Sequence, residues 1–182
     1  MDTSPLWSLD WVRAVQGLGD WALTPMRVLT FLGQEFLVVL IPLLYWSISK
    51  STGVDLSILL IGSSFVNFSL KSFFKEPRPF WLDASLQRGS ATSFSFPSGH
   101  AQSSAVVFGG LAYLAARSPW RIVARVVAAV LLALLVALIS LSRVYLGVHF
   151  PGDTLIGILA GLLVLAVYVH VKPRLAPVLA RL

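Results

Sequence analysis

The apolar stretch at residues 122–141 reads IVARVVAAVLLALLVALISL. It is 20 residues long and carries a single charge, Arg125. A helix needs roughly 20 predominantly apolar residues to cross the hydrocarbon core of a bilayer, so this stretch predicts a membrane span. The whole chain agrees, because 57% of its 182 residues are hydrophobic and 12% are charged, against roughly 25% charged in ordinary soluble domains. The sequence therefore predicts an all-α membrane protein.

Four further apolar segments flank this stretch and complete a predicted bundle of five spans. They are Met26–Ile48, Val54–Phe74, His100–Ala116 and Thr154–Val171. The His100–Ala116 segment is short and glycine-rich, but without it two histidine motifs would lie on opposite sides of the membrane. Residues Leu6–Gly19 carry charges too often for a span and predict an amphipathic helix lying in the membrane interface. A sixth span in that region is the alternative. Residues 1–182 are expected to form one membrane-embedded domain.

Basic residues gather at one end of the predicted bundle, and this sets its orientation. They are Lys50, Arg117, Arg121, Arg125, Lys172, Arg174 and Arg181. The positive-inside rule places that end in the cytoplasm. The loop Lys75–Pro97 and the segment Arg143–Asp153 then face outward, which is the periplasm or exterior for a protein of a bacterial inner membrane. The net charge of +6 does not predict nucleic-acid binding, because no basic stretch is long enough to follow a phosphate backbone.

The first polar cluster on the outward side lies where the second span ends. Pro77 and Pro79 flank Arg78 and stop the helix there. An arginine on such a stiff turn is well held for bidentate contact with phosphate. Lys71 lies inside the apolar helix, where a charge is costly. It predicts a second phosphate ligand, and the alternative is an ammonium that extends to the membrane surface.

The second cluster is Pro97-Ser98-Gly99-His100, at the start of the third span. Ser98 is a natural helix N-cap, and Gly99 allows a ligand to approach the backbone. Free N–H groups at a helix start attract anions. The cluster predicts an anion site beside His100, and the alternative is a simple helix cap with a bystander histidine.

The third cluster joins the fourth and fifth spans and contains Arg143, His149 and Asp153. Across the turn at Pro151-Gly152, Asp153 can accept a hydrogen bond from His149 and leave the other ring nitrogen free to attack. The alternative for Asp153 is a helix N-cap. Together the clusters supply a nucleophile with an orienting acid, a second proton carrier and several cations, which is what phosphoryl transfer requires. No carboxylate cluster is available for magnesium, and neither a metal nor a cofactor is predicted.

The order Lys-x6-Arg-Pro, Pro-Ser-Gly-His and Ser-Arg-x5-His-x3-Asp over Lys71–Asp153 resembles the signature of the type-2 phosphatidic acid phosphatase superfamily. The resemblance implies that His149 attacks phosphorus and becomes phosphohistidine, oriented by Asp153. It implies that His100 protonates the leaving alkoxide and then activates water. The phosphate ligands that it implies are Lys71, Arg78, Ser98, Gly99 through its N–H, and Arg143, with no metal.

A site at headgroup depth predicts a lipid phosphate or diphosphate taken sideways from the outer leaflet. The candidates are phosphatidate, phosphatidylglycerophosphate, undecaprenyl diphosphate, a lipid A phosphate and a long-chain-base phosphate. The alternatives are a soluble phosphate ester, a vanadate-binding haloperoxidase, against which five spans count, and a non-catalytic lipid-binding or transport protein. Membrane lipids are the expected partners, and no protein partner is implied. Glu35, near the outward face of the first span, is expected to brace the basic site.

Overall fold

A computed structural model describes residues 5–179 of the chain and the side chains of residues 6–174. Its described part is helical and contains no β-strand. The helices are α1 (Leu9–Gln16), α2 (Leu23–Leu32), α3 (Glu35–Ser47), α4 (Lys50–Phe74), α5 (Pro79–Leu82), α6 (Gly99–Ala116), α7 (Ile122–Tyr145) and α8 (Pro151–Leu179), with short 3₁₀ turns at Pro5–Trp7, Asp20–Ala22 and Ala84–Leu86. Arg181, counted above among the basic residues, lies outside the described residues.

Helices α4, α6, α7 and α8 form an antiparallel core in which successive helices point in opposite directions. The starts of α4 and α7 therefore share one end with the finishes of α6 and α8. Contacts between the start of α4 and the finish of α8 support this arrangement. The Lys172 ammonium of α8 pairs with the Asp55 carboxylate of α4, to which the Tyr168 hydroxyl also donates at 2.8 Å. The C-termini of α4 and α7 and the N-termini of α6 and α8 lie at the opposite end of the bundle. All three polar clusters lie at that end.

Within the described part of the chain, three segments are long and apolar enough to cross a membrane: Lys50–Leu82, Ile122–Tyr145 and Pro151–Arg174. The predicted span Met26–Ile48 is not one straight helix, because α2 and α3 meet at a bend of 45°. The break falls at Gly33, where an added Cβ would lie 2.6 Å from Ile139 of α7. Close packing against α7 thus explains a glycine there, and the bend places Gln34 and Glu35 near the outward end.

Helix α6 coincides with the predicted span His100–Ala116, but it is not among the three segments that are long and apolar enough to cross a membrane. Its buried residues include Gln102, Ser103 and Ser104. A helix enclosed by α4, α7 and α8 faces protein on most sides, so it does not need an apolar surface. On α8, Gly157 and Gly161 permit this enclosure, since an added Cβ would lie 2.6 Å from the Ser98 carbonyl oxygen and 2.5 Å from that of Gln102. Small residues at such spacing let membrane helices approach closely.

The N-terminal region contains an amphipathic helix, α1, which is shorter than the predicted Leu6–Gly19. Its eight residues correspond to about 12 Å, well short of the roughly 30 Å hydrocarbon core. Val12 and Gln16 are buried, whereas Trp11 is 52% exposed. The Gln16 side-chain amide donates to the carbonyls of Leu86 and Tyr145 at 2.8 and 2.9 Å. Helix α1 is thus fastened to the outward end of the bundle.

Candidate active site

The polar clusters converge on one cavity of about 470 Å³ at the outward end. Six of the predicted site residues line it: Lys71, Arg78, Gly99, His100, Arg143 and His149. The other two, Ser98 and Asp153, are fully buried. Ser98 directly precedes the cavity residue Gly99, and Asp153 Oδ2 lies 3.4 Å from the ring of the cavity residue His149. The backbone N–H of Ser98 donates to the Asp153 carbonyl at 3.0 Å, which joins the starts of α6 and α8.

His149 lies between α7 and α8 and is 2% exposed. Its Nδ1 is 3.4 Å from Asp153 Oδ2 and 3.3 Å from the Ser95 hydroxyl. The same Ser95 hydroxyl donates to Asp153 Oδ2, which also accepts the Phe150 N–H at 3.0 Å. Asp153 is not an N-cap, because α8 begins at Pro151 and places Asp153 in its first turn.

The other ring nitrogen of His149, Nε2, lies 3.3 Å from Nη1 of Arg78. A guanidinium only donates hydrogen bonds, so Nε2 must be the acceptor and must carry a lone pair. The proton of the neutral ring then resides on Nδ1, and this N–H donates its hydrogen bond towards the Asp153 carboxylate. This arrangement is the one that a nucleophilic Nε2 requires.

Two cations hold the loop that closes the site as well as lining the cavity. The Lys71 ammonium lies in the last turn of α4 and donates to the carbonyls of Phe94 and Ser95 at 2.6 and 3.0 Å. The Arg78 guanidinium donates to the carbonyls of Val148 and Phe94 at 2.6 and 3.1 Å and also reaches Ser93. Lys71 therefore binds protein carbonyls instead of extending to the membrane surface.

Arg143 is a buried cation whose hydrogen-bond donors are only partly satisfied by protein groups. It is 6% exposed, and its Nη1 donates to the hydroxyl of Thr30 on α2. Among the residues that the structure describes, its buried Nε has no hydrogen-bond partner. Buried donors of this kind are costly unless something satisfies them. An anion in the cavity would do so.

At the start of α6, Ser98 caps the helix as the sequence predicts, accepting the Ala101 N–H. The preceding turn is held from α4, because the Asn67 amide donates to the Pro97 carbonyl at 3.2 Å and to the Gln102 side-chain oxygen at 2.9 Å. His100 follows the cap with its side chain 14% exposed, and its Nε2 lies 4.0 Å from Glu35 Oε2. That distance allows charge attraction but exceeds a hydrogen bond.

The sequence pattern of the PAP2 superfamily matches residues 52–176. The chain belongs to the PAP2 superfamily. The resemblance drawn from the three motifs is thereby confirmed.

Curated PAP2 relatives include bacterial lipid phosphatases. The chain is 37% identical over 110 residues to phosphatidylglycerophosphatase B of Bacillus subtilis (strain 168), covering 59% of this chain and 52% of that protein. It is 33% identical over 136 residues to the putative undecaprenyl-diphosphatase YbjG of Escherichia coli (strain K12), covering 70% and 64%. The alignments thus span just over half of the first relative and somewhat under two thirds of the second.

Two solved structures share the architecture of this chain. A transmembrane PAP2 type phosphatidylglycerolphosphate phosphatase from Bacillus subtilis superposes with a TM-score of 0.79 at 26% identity, over 91% of this chain and 84% of that one. LpxE of Aquifex aeolicus superposes with a TM-score of 0.75 at 23% identity, over 93% and 97%, which shows the shared fold. With its apolar helices, the chain is a multi-pass membrane protein.

Sequence reasoning missed three residues that complete the candidate site of this PAP2 protein: Ser95, Thr30 and Trp7. Ser95 is one of four serines between residues 90 and 98, and neither charge nor periodicity distinguishes it from the others. Thr30 and Trp7 precede the PAP2 match and meet Arg143 and Asp153 only in the folded chain. Trp7 belongs to the segment Leu6–Gly19 that the sequence predicts to lie in the membrane interface, yet its indole Nε1 donates to Asp153 Oδ1 at 3.0 Å.

The cavity of this PAP2 site has two contrasting sides. On one side, Val38 of α3 and Leu60 and Phe68 of α4 line it with apolar surface. On the other, it adjoins a second cavity of about 560 Å³, lined by charged residues that include Arg27, Glu35 and Arg88. His100 and Arg143 line both cavities and therefore lie at the junction of the apolar and polar sides.

Electrostatics keep the His149 ring neutral. Burial is the main cause, followed by the positive charges of Arg78, Arg143 and Lys71, and together these lower the pKa of His149 well below its ordinary value. A neutral ring retains the lone pair that attack requires.

Within residues 6–174, no three His, Asp or Glu side chains come close enough to hold a metal ion.

Proposed function

We propose that this chain is an integral-membrane, metal-independent phosphatase. It hydrolyses a lipid phosphate or diphosphate through a phosphohistidine intermediate. The observation that carries this proposal is the setting of His149 Nε2. Its lone pair faces the cavity beside Arg78, the opposite nitrogen is backed by Asp153, and Lys71 and Arg143 line the same space.

In the first step, Nε2 of His149 forms a bond to phosphorus while the bond from phosphorus to the leaving oxygen breaks. Asp153 stabilises the positive charge that develops on the ring. Lys71, Arg78 and Arg143 neutralise the charge on the equatorial oxygens, helped by the N–H of Gly99 at the α6 start, which Ser98 caps. His100 gives a proton to the leaving alkoxide.

In the second step, water attacks the phosphohistidine and the phosphorus–nitrogen bond breaks. His100, neutral after the first step, takes the proton of that water. Inorganic phosphate leaves, and Nε2 regains its lone pair. His100 is suited to both transfers because it lines the cavity beside the cations and also faces the polar cavity, from which water can reach it.

The lipid character of the substrate is supported by the cavity wall. Val38 and Phe68 are 64% and 71% exposed, so the side between α3 and α4 opens onto the apolar outer surface of the bundle. A substrate in the outer leaflet can place its phosphate among the cations while its chains stay in lipid. The relatives that are a phosphatidylglycerophosphatase and a putative undecaprenyl-diphosphatase support the same substrate class.

The proposed topology has five spans: the bent pair α2–α3, then α4, α6, α7 and α8. Helix α1 lies in the interface, with Trp11 and Trp21 exposed at headgroup depth. The positive-inside rule directs the basic end to the cytoplasm, so the site faces the periplasm or exterior, in an inner membrane if the source is bacterial.

Phosphate release by detergent-purified protein, with EDTA present, tests this function across a panel of lipid phosphates and diphosphates. His149→Ala should abolish turnover, because the covalent step has no substitute. His170→Ala is the matched control, since His170 is on α8 but lies roughly 25 Å from Asp153 along the helix. Folded wild-type protein that releases no phosphate from the panel, but does so from water-soluble esters, would favour a soluble substrate. No release from either would favour a non-catalytic lipid-binding role.

A further inference from the structure

The N-terminal segment reaches the centre of the site through one side chain. Trp7 donates its indole Nε1 hydrogen to Asp153 Oδ1 at 3.0 Å. This contact joins residues 146 positions apart in the chain. Trp7 lies before residue 52, so it is outside the part of the chain that carries the PAP2 pattern.

The two oxygens of the Asp153 carboxylate have different partners. Oδ2 faces His149 Nδ1 and also accepts from the Ser95 hydroxyl and the Phe150 N–H. Oδ1 accepts from Trp7. A buried carboxylate that lost this donor would leave one oxygen unsatisfied, which is costly. It could rotate to share its remaining donors and turn Oδ2 away from the ring.

The indole is held in place from two sides. One side of the indole packs closely against Gly152 of α8, where an added Cβ would lie 2.5 Å from two carbons of the indole ring. Beside it lies the Phe96 ring, with centroids 6.4 Å apart and planes tilted by 47°. The helix that follows is tied down by Gln16 and by the Arg13–Asp83 ion pair at 2.9 Å. The indole therefore has a fixed place against α8.

We propose that Trp7 is a positioning residue for phosphoryl transfer. Its N–H fixes Oδ1 of Asp153 and so keeps Oδ2 aimed at Nδ1 of His149. Trp7 acts through Asp153 and touches neither the substrate nor the reacting atoms. The role rests on the proposed function. It gives the N-terminal segment a part in the rate of nucleophilic attack in addition to its place at the membrane surface.

The test is Trp7→Phe, which keeps an aromatic ring but removes the N–H, beside Trp11→Phe, an exposed tryptophan of the same segment. Rapid-quench measurements give the rate at which phosphoenzyme forms and the fraction of protein that forms it. We expect Trp7→Phe to slow formation about tenfold to a hundredfold, as expected for loss of a hydrogen bond to a charged group. KM and the fraction should be unchanged, and Trp11→Phe should match wild type.

A purely structural role would lower the fraction of competent protein and leave the rate per site unchanged, which would overturn the proposal. An unchanged rate and fraction would also overturn it. If Trp7→Phe does not fold, a tryptophan analogue with sulfur in place of the ring NH tests the same hydrogen bond at constant size. Wild-type protein that turns over without forming phosphoenzyme, or does not turn over, overturns the proposed function and this role together.

Discussion

Nη1 of Arg78 points at Nε2 of His149 from 3.3 Å and at the Val148 carbonyl oxygen from 2.6 Å. In the proposed mechanism, the first contact engages the lone pair that attacks phosphorus, so this contact has to end when the substrate arrives. The N–H released at that moment can turn to a phosphate oxygen. In the proposed mechanism, Arg78 thus orients the nucleophile before the substrate binds and stabilises charge afterwards, while its other donors hold the loop at Ser93 and Phe94.

Replacement of Arg78 by lysine separates charge from geometry. Arg78→Lys keeps the positive charge but loses the planar fork, and we expect kcat to fall by about 100-fold or more. The melting temperature should also fall, because the contacts to Phe94 and Val148 are lost. Arg125→Lys is the control, since that guanidinium donates to the Trp120 carbonyl at the far end of the bundle. Equal kcat in the two variants would contradict the role of Arg78.

The buried neutral ring of His149 predicts sensitivity to acid. Its pKa is lowered in the folded protein by burial and by Arg78, Arg143 and Lys71, whereas in the unfolded chain it titrates near pH 6.5. Below about pH 6.5 the unfolded state therefore binds more protons, and the free energy of unfolding falls as the pH falls.

The measurement is the melting temperature in detergent between about pH 7.5 and about pH 5, a range that spans the unfolded-state titration. Wild-type protein should lose more stability across this range than His149→Asn, which has no ring to protonate. His170→Asn should follow wild type, because His170 is exposed. Parallel curves for wild type and His149→Asn would show that another group is responsible.

His100 is expected to act on the leaving group, and leaving groups differ in their need for a proton. His100→Ala should lower kcat by roughly 10²- to 10⁴-fold on alkyl phosphates and by much less on aryl phosphates, whose phenolate leaves unaided. Turnover on matched alkyl and aryl phosphates gives the comparison. Equal losses on both would assign His100 another role.

Much of the site could be predicted because its chemistry is local in the sequence. Each motif places its residues at the end of a helix, as the pair His149 and Asp153 does across one turn. The local backbone geometry therefore determines most of the contacts that the motif residues can make. Trp7, Thr30 and Ser95 could not be found in this way, since each meets its partner only after distant segments pack. Their types are common in membrane proteins, and no charge marks them.

The fold was predictable where helices face lipid and less so where they face protein. The apolar run 122–141 lies within α7, which continues to Tyr145. Hydropathy described α6 poorly because that helix is enclosed and carries buried Gln102 and Ser104. It also missed the break between α2 and α3, which falls at Gly33, because a single glycine does not by itself predict a bend.

Glu35 tests whether an acid beside His100 assists catalysis. The Glu35 side chain is 57% exposed and lies 4.0 Å from His100, so solvent screens the pair and the effect should be small. We expect Glu35→Gln to lower kcat about two- to fivefold, with a smaller loss at high salt. Glu76→Gln, at the only other glutamate, which is exposed, should match wild type. A Glu35 variant with unchanged folding and turnover would end the bracing hypothesis.

Helix packing also reaches the site, and two glycines make this testable. An alanine Cβ at Gly161 would lie 2.5 Å from the Gln102 carbonyl oxygen, whereas at Gly62 of α4 it would meet nothing within 4 Å. Gly161→Ala should therefore cost about 1–3 kcal/mol of stability by overpacking. Gly62→Ala should be neutral or stabilising by up to about 1 kcal/mol, because alanine suits a helix better.

The consequence for activity follows from the side chain of Gln102. It binds Asn67, which in turn holds the Pro97 carbonyl before the α6 start. A shift of α6 away from Gly161 should therefore disturb the Ser98–His100 turn, and kcat should fall in Gly161→Ala but not in Gly62→Ala. Melting temperature and kcat measured on both variants decide the matter. A Gly161 variant that is less stable yet fully active would show that the site tolerates movement of α6.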